Sequence, residues 1–229
     1  YGDLVALDRT TTSFEASTSV ALVGANGSGK STVLRLLAGL LDPSTGEVER
    51  APDVEASFVA QQHGHHSWMP LPVNEVLQMG CYRRRGLLGR ISRSDRTEIR
   101  HVAGRLEIDD LVSRSFGELS GGQRQRVAIA QALLSNPRLL LMHEPLSALD
   151  QASRSVLLPY LDQMQRELAI PVLYVSHALD EVARLTEHMV LMRDGRVVTS
   201  GDINALLTRL DLPMAHGRNA EAVIRAAVQ

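Results

Sequence analysis

Two glycine-rich phrases in this sequence are suited to holding phosphate. Gly24-Ala25-Asn26-Gly27-Ser28-Gly29-Lys30-Ser31 fits the G-x-x-x-x-G-K-[ST] phosphate loop, whose glycines let successive backbone N–H groups turn inward around phosphate oxygens. Lys30 supplies a compact cation for the β- and γ-phosphates of a nucleoside triphosphate, and the Ser31 hydroxyl is placed to ligate Mg2+. Far downstream, Leu119-Ser120-Gly121-Gly122-Gln123 opens a helix whose N-terminal amides and dipole favour an anion. A glycine turn before an amphipathic helix is the plainer account of that second phrase. Two further polar residues follow apolar runs. Glu144 follows the apolar run Leu139–Met142, and His177 follows Leu173-Tyr174-Val175-Ser176. A carboxylate at a strand end can face the phosphates, although a capping or turn acid would occupy the same position. A lone histidine is more often structural.

The phosphate loop needs a strand before it and a helix after it. Ser19–Val23 is a short apolar run into the loop, and Ser31–Leu41 reads as the helix, broken by Asp42-Pro43-Ser44-Thr45-Gly46. Ser57–Ala60 predicts a strand ending at Gln61 and Gln62. From His63 to about Gly117 the pattern is helical, over Val73–Tyr82 and Arg93–Leu106, with no good strand. Ser120–Leu134 predicts a helix, Leu139–Met142 a buried strand, and Ala152–Leu168 a helix that Pro159 kinks or breaks. Pro171–Ser176 and Met189–Met192 predict strands around the helix Ala178–Leu185, and Asp194-Gly195 a hairpin into Arg196–Ser200. Alternating strands and helices predict an α/β fold with a mostly parallel sheet. Residues 1–62 and 119–229 then form the nucleotide-binding core, and residues 63–118 a helical insertion subdomain.

With 229 residues the chain has ample material for a buried core. Its formal net charge of -2 argues against a general nucleic-acid binder. A single cysteine, Cys81, excludes an internal disulfide and fits a reducing compartment. No apolar run approaches the roughly 18–20 residues that span a bilayer, so a membrane role must come through a partner. The sequence opens at Tyr1 without a methionine and reads as starting inside a longer protein.

With both glycine phrases in place, the chain resembles the ATP-binding subunit of an ABC (ATP-binding cassette) transporter over nearly its whole length. The resemblance implies a P-loop NTPase core, a small N-terminal antiparallel β lobe and the helical subdomain. ATP and Mg2+ are the implied cofactors. Gly24, Asn26, Gly27, Ser28, Gly29, Lys30, Ser31 and Thr32 would bind the nucleotide. Ser120, Gly121, Gly122 and Gln123 would contact the γ-phosphate of ATP held by a second subunit, in a head-to-tail homodimer or paired subunit. Glu144 would polarise the attacking water, and His177 would contact the γ-phosphate. Asp150, in Ser147-Ala148-Leu149-Asp150, resembles the loop that crosses the dimer interface. Gln61 matches the glutamine that touches Mg2+ and the attacking water, and Tyr1 stands at about the spacing of the aromatic that stacks on adenine. The implied partners are an integral membrane permease and, indirectly, a solute-binding protein. The implied location is peripheral, on the cytoplasmic face of the cell membrane.

Two departures stand out. The family pattern has aspartate immediately before the catalytic glutamate, whereas here the pair is His143-Glu144. That aspartate orients Mg2+, usually through a bound water. Replacing it removes a negative charge beside a hard, oxygen-seeking cation, which predicts ATP binding with Mg2+ use and turnover lowered by roughly 10–100-fold. The competing reading is a natural tolerance, with Glu144 and Ser31 sufficient for hydrolysis. Ala16-Ser17-Thr18-Ser19 also lacks the family's Gly-Glu turn, so the antiparallel lobe reads as incomplete.

Two hints about the transported substrate disagree. Pro72–Gly80 and Gly86-Leu87-Leu88-Gly89-Arg90 resemble zinc/manganese importer ATPases, which points to metal-ion import because the insertion docks the permease. Leu157–Leu161, Leu173–Val182 and Asp211-Leu212-Pro213-Met214-Ala215 resemble molybdate importer ATPases, the alternative. His63, His65 and His66 invite a Zn2+ site but lack a cysteine or acidic partner at ligand spacing. Arg83, Arg84, Arg85 and Arg90 would either meet anionic lipid or permease loops or form a solvated face. A non-transport ABC ATPase lacks support, because no tandem cassette or long coiled-coil insertion is present.

Overall fold

The computed structural model describes residues 5–8, 10–15, 18–51, 54–60, 70–86, 89–168 and 170–209. Six strands form one sheet: β1 (Ser19–Val23), β2 (Ala56–Val59), β3 (Leu139–His143), β4 (Val172–Val175), β5 (His188–Arg193) and β6 (Arg196–Asp202). Their order is β2-β3-β4-β1-β5-β6, with β5–β6 antiparallel and the other pairs parallel. Period-2 alternation fills two layers. Val20 and Leu22 of β1 join Leu141, Leu173, Val175, Val190 and Met192 on one face. Ala21 and Val23 join Leu140, Met142, Val172, Tyr174, Met189 and Leu191 on the other. Apolar cover on both faces explains why the central strands are continuous hydrophobic runs.

Among the described residues seven helices accompany the sheet: α1 (Lys30–Leu37), α2 (Val73–Arg85), α3 (Arg93–Arg105), α4 (Gly121–Leu134), α5 (Gln151–Leu168), α6 (Leu179–Leu185) and α7 (Ile203–Leu207). Helix α1 stops short of the expected Leu41. Gly39 turns left-handed (φ 69°), and Arg50 donates to the carbonyls of Leu36 and Leu37 at 2.5 and 3.1 Å, capping the open end. Helix α5 continues through Pro159, with Leu157 and Leu161 buried on either side of it. That packing offsets a proline cost of about 3 kcal/mol.

The antiparallel component of the described sheet is the β5–β6 hairpin, whose turn has both Asp194 (φ 49°) and Gly195 (φ 74°) left-handed, the geometry of a tight I′ turn. The segment before β1 is laid against that turn rather than paired as a strand among the described residues: Asp8 N–H donates to Gly195 O at 2.9 Å, and Arg196 Nε to Asp8 at 2.8 Å.

Between β2 and α4 the described residues are helical, with two 3-10 turns at Asp109–Leu111 and Phe116–Glu118. The arginines at the end of α2 are paired within the chain. Arg83 meets Glu55 and the Ala56 carbonyl, Arg84 meets Glu98 at 2.6 Å, and Arg85 makes two 3.1 Å bonds to Asp95. Asp95 closes a capping box with Ser92 at the start of α3. Those hydrogen bonds and the Arg85 guanidinium hold its carboxyl well below the usual range. This triplet therefore ties α2 to its neighbours and does not form a free basic face.

Helices α2 and α4 approach closely at Gly80, where an added Cβ would stand 2.4 Å from the Gln131 carbonyl oxygen and 2.9 Å from Leu134 Cβ. Gly80→Ala should therefore force the two helices apart and cost about 1–3 kcal/mol, read as a lower denaturant midpoint.

Candidate functional site

The candidate site residues gather at the carboxyl ends of adjacent parallel strands, the usual ligand edge of an open α/β sheet. Chain reversals at the ends of β1, β3 and β4 deliver the phosphate loop, His143-Glu144 and Ser176-His177 to the same rim. The loop's shape depends on two approaches. An added Cβ on Gly24 would stand 2.2 Å from the Met192 carbonyl oxygen of β5, and one on Gly29 2.8 Å from that of Ala6, where φ is 97°. Lys30 is buried and donates to the carbonyls of Gly24 and Ala25 at 2.7 and 2.8 Å. Burial lowers its pKa against the opposing pull of Glu144. Asn26 and Gly27 are exposed at the loop tip, and Thr32 is half-buried in the first turn of α1.

Glu144 sits one residue beyond β3 in the left-handed region, φ 47°, an unusual conformation for a non-glycine residue and one found at functional sites. Its N–H donates to Val175 O at 2.8 Å, extending the β3–β4 ladder, and its side chain is thereby aimed at the rim. His177 Nε2 donates to Glu144 Oε1 at 2.8 Å. The two groups proposed from separate strand ends are thus in direct contact.

His143 has a different partner. Its Nε2 lies 2.6 Å from Ser31 Oγ. Burial lowers its pKa, and Arg35 and Lys30 act in the same direction while Glu144 opposes them, so the ring is neutral around pH 7. With the ring proton on Nδ1, the serine hydroxyl donates to Nε2. These donors fit a nucleotide's phosphates at Gly24–Ser31. Toward Mg2+ the fit is partial: Ser31 offers an oxygen ligand, but imidazole nitrogen stands where an oxygen donor would suit that cation.

The residues of the second glycine-rich phrase, Ser120–Gln123, have neighbours other than the phosphate loop. Ser120 Oγ accepts from Gln123 N at 3.2 Å and Gln123 Oε1 accepts from Ser120 N at 2.9 Å, a capping box that opens α4. An added Cβ on Gly122 would stand 3.0 Å from Leu149 Cδ2, so the glycine lets α4 sit on the 147–150 loop. Asp150 caps α5 by accepting from Ser153 N at 2.7 Å, which holds its carboxyl below the usual range. Tyr1, Gln61, Gln62, His63, His65, His66, Leu87-Leu88 and Asp211–Ala215 lie outside the described residues.

The sequence of the chain matches the model of the ABC transporter family over residues 7–147. The chain belongs to that family. Similar proteins include the molybdenum import ATP-binding protein of Pseudomonas savastanoi pv. phaseolicola, 44% identical over 96% of this chain and 63% of its own length. That of Bordetella pertussis is 44% identical over 89% and 57%, and that of Thiobacillus denitrificans 45% over 91% and 59%. The chain thus spans about three-fifths of the length of these curated relatives. A dimeric bacterial ABC transporter cassette aligns with a TM-score of 0.74 at 26% identity, covering 89% of this chain and 94% of that one. The same cassette as a post-hydrolysis dimer bound to ADP and Pi aligns at 0.73 and 26%, covering 86% and 90%. This ABC cassette therefore shares the overall fold of a protein seen with nucleotide.

Spacing in the sequence could not reveal the buried network behind the ABC site. Glu181, 4% exposed, accepts from Ser176 Oγ at 2.9 Å and Tyr174 OH at 3.2 Å, and its other oxygen meets Arg154 at 3.5 Å. Arg154 Nε also donates to the carbonyls of Leu146 and Leu149, both at 3.2 Å. The end of β4 that carries His177 is thus tied to the loop that carries Asp150. Neither Glu181 nor Arg154 stands at a spacing that points to this contact. Arg154→Ala should cost about 1.5–3 kcal/mol, the usual value of hydrogen bonds to charged groups, checked by urea unfolding with an unchanged m value.

Proposed function

We propose that this chain is the ATP-hydrolysing subunit of an importer for molybdenum as its oxyanion. The observation that carries hydrolysis is the 2.8 Å contact of His177 with Glu144 at the strand ends beside the phosphate loop. It supports Glu144 as the group that polarises the attacking water and His177 as the group that holds it in place near the γ-phosphate. Lys30 would leave the Gly24 and Ala25 carbonyls for the β- and γ-phosphates, Ser31 would ligate the cation, and Gln61 would complete the water's surroundings. Ser120–Gln123 and Asp150 of one copy would face the nucleotide of another, and the dimeric cassettes of the same fold support that reading.

For cargo, the relatives' names support the oxyanion alternative over the metal-ion reading drawn from the insertion. No described helix is long and apolar enough to cross a membrane. The importer reading has the cassette act through a permease, from the cytoplasmic face. Residues 63–118 would form the docking subdomain and residues 1–62 and 119–229 the nucleotide core, with a solute-binding protein delivering cargo and no nucleic acid involved.

The test is reconstitution in proteoliposomes with the permease and solute-binding protein of a molybdate importer. ATP-driven molybdate uptake is expected. Uptake of Zn2+ or Mn2+ without molybdate would overturn the choice of cargo.

A further inference from the structure

The cation position beside the phosphate loop has an unusual pair of donors. Ser31 Oγ and His143 Nε2 are 2.6 Å apart, one from α1 and one from the end of β3. An octahedral cation with bonds of about 2.1 Å holds adjacent ligands about 3 Å apart, close to the spacing already present. The backbone that carries the imidazole is fixed. His143 is the last residue of β3, registered against Val175 of β4, and its ring is half-buried. Its β3 neighbour Met142 is 1% exposed, so the strand end is fixed in the core. Among the described residues no group of three or more His, Cys, Asp or Glu side chains is placed to hold a metal ion, so phosphate oxygens and water would complete any coordination shell.

Mg2+ favours oxygen and dehydrates reluctantly, whereas first-row divalent cations also accept imidazole nitrogen, Mn2+ more weakly than the later members of the row. We propose that the nucleotide-bound cation of this cassette is a first-row divalent metal such as Mn2+, coordinated directly by His143 Nε2, and that the site binds it in preference to Mg2+. The inference rests on the nucleotide-binding reading given above. It concerns the choice of cation and leaves the roles of Glu144 and His177 as they stand. The cation would exchange the Ser31–His143 hydrogen bond for two metal bonds, with the serine as the oxygen ligand and the histidine as the nitrogen ligand.

The experiment uses the full chain carrying 15N-histidine, with a non-hydrolysable ATP analogue and Mn2+. Nucleotide binding is first measured without metal, by displacement of a fluorescent ATP derivative. Pulsed electron paramagnetic resonance then reads the nuclei coupled to Mn2+. A 15N coupling from a directly bound imidazole is expected, distinct from the 14N of adenine. It should vanish in His143→Asp and in His143→Asn. Competition titration should show Mn2+ displaced by Mg2+ roughly 10–100-fold less readily in the parent chain than in His143→Asp, the usual scale for changing one ligand group. Nucleotide binding without a 15N coupling would overturn the proposal alone, as would equal competition by Mg2+ in the parent and His143→Asp. Failure to bind the nucleotide at all would overturn the nucleotide reading beneath it. The parent chain's own spectrum decides the question even if a variant fails to fold.

Discussion

Glu144→Gln should lower ATP hydrolysis by about 10²–10⁴-fold, the contribution of a positioned general base, which corresponds to about 3–5 kcal/mol of barrier. The change is nearly isosteric. It keeps a hydrogen-bonding oxygen beside His177 and leaves the Glu144 N–H to Val175 O bond, which is backbone, untouched. Nucleotide affinity should therefore stay close to that of the parent. Lys30 senses the Glu144 carboxylate, which opposes the effect of burial on its pKa. Removing that charge makes the lysine easier to deprotonate, so affinity should weaken first at alkaline pH. Steady-state phosphate release and equilibrium ATP binding, measured on the same preparation, separate the two quantities. Turnover within tenfold of the parent would remove Glu144 from the role of base and leave it as a strand-end cap.

Much of this site was legible because its parts are local. The phosphate loop needs only β1, eight residues and α1, and each is written in consecutive sequence from Ser19 onward. The same holds for Ser120, whose capping box closes with Gln123 three residues away. Glu144 and His177 were legible separately, as acid and imidazole after apolar runs. Their contact was not, because it depends on β3 and β4 being neighbours in the sheet. The unusual residue at 143 was also visible, but its partner Ser31 is 112 positions away. Element ends were the weakest part of the reading. Helix α1 ends at Leu37 because Arg50 reaches its carbonyls from beyond the turn-forming run, and α7 was missed because five residues capped by Asp202 leave little periodicity. The α2 arginines looked available to a partner because the acids they meet, Glu55, Asp95 and Glu98, lie on other segments.

His143→Asp should raise Mg2+-supported hydrolysis by about 10–100-fold, the scale seen when a ligand's supporting group is restored. The carboxylate adds a negative charge beside the Ser31 hydroxyl, at the point where a hard divalent cation would bridge to phosphate. It also replaces a neutral ring, made so by burial and by the nearby cations Arg35 and Lys30, with a group those same cations would keep ionised. The cost is a second carboxylate next to Glu144, whose repulsion the cation itself relieves. The gain should thus appear only with metal and nucleotide bound, and thermal stability without them should fall slightly. Hydrolysis with Mn2+ should change far less, because Mn2+ accepts an imidazole nitrogen more readily than Mg2+ does. The informative quantity is therefore the ratio of Mg2+ to Mn2+ turnover in His143→Asp divided by the same ratio in the parent. A value near one, with both proteins folded and binding ATP, would mean that Ser31 and the phosphates alone determine the cation's behaviour and that the histidine at 143 is neutral to catalysis.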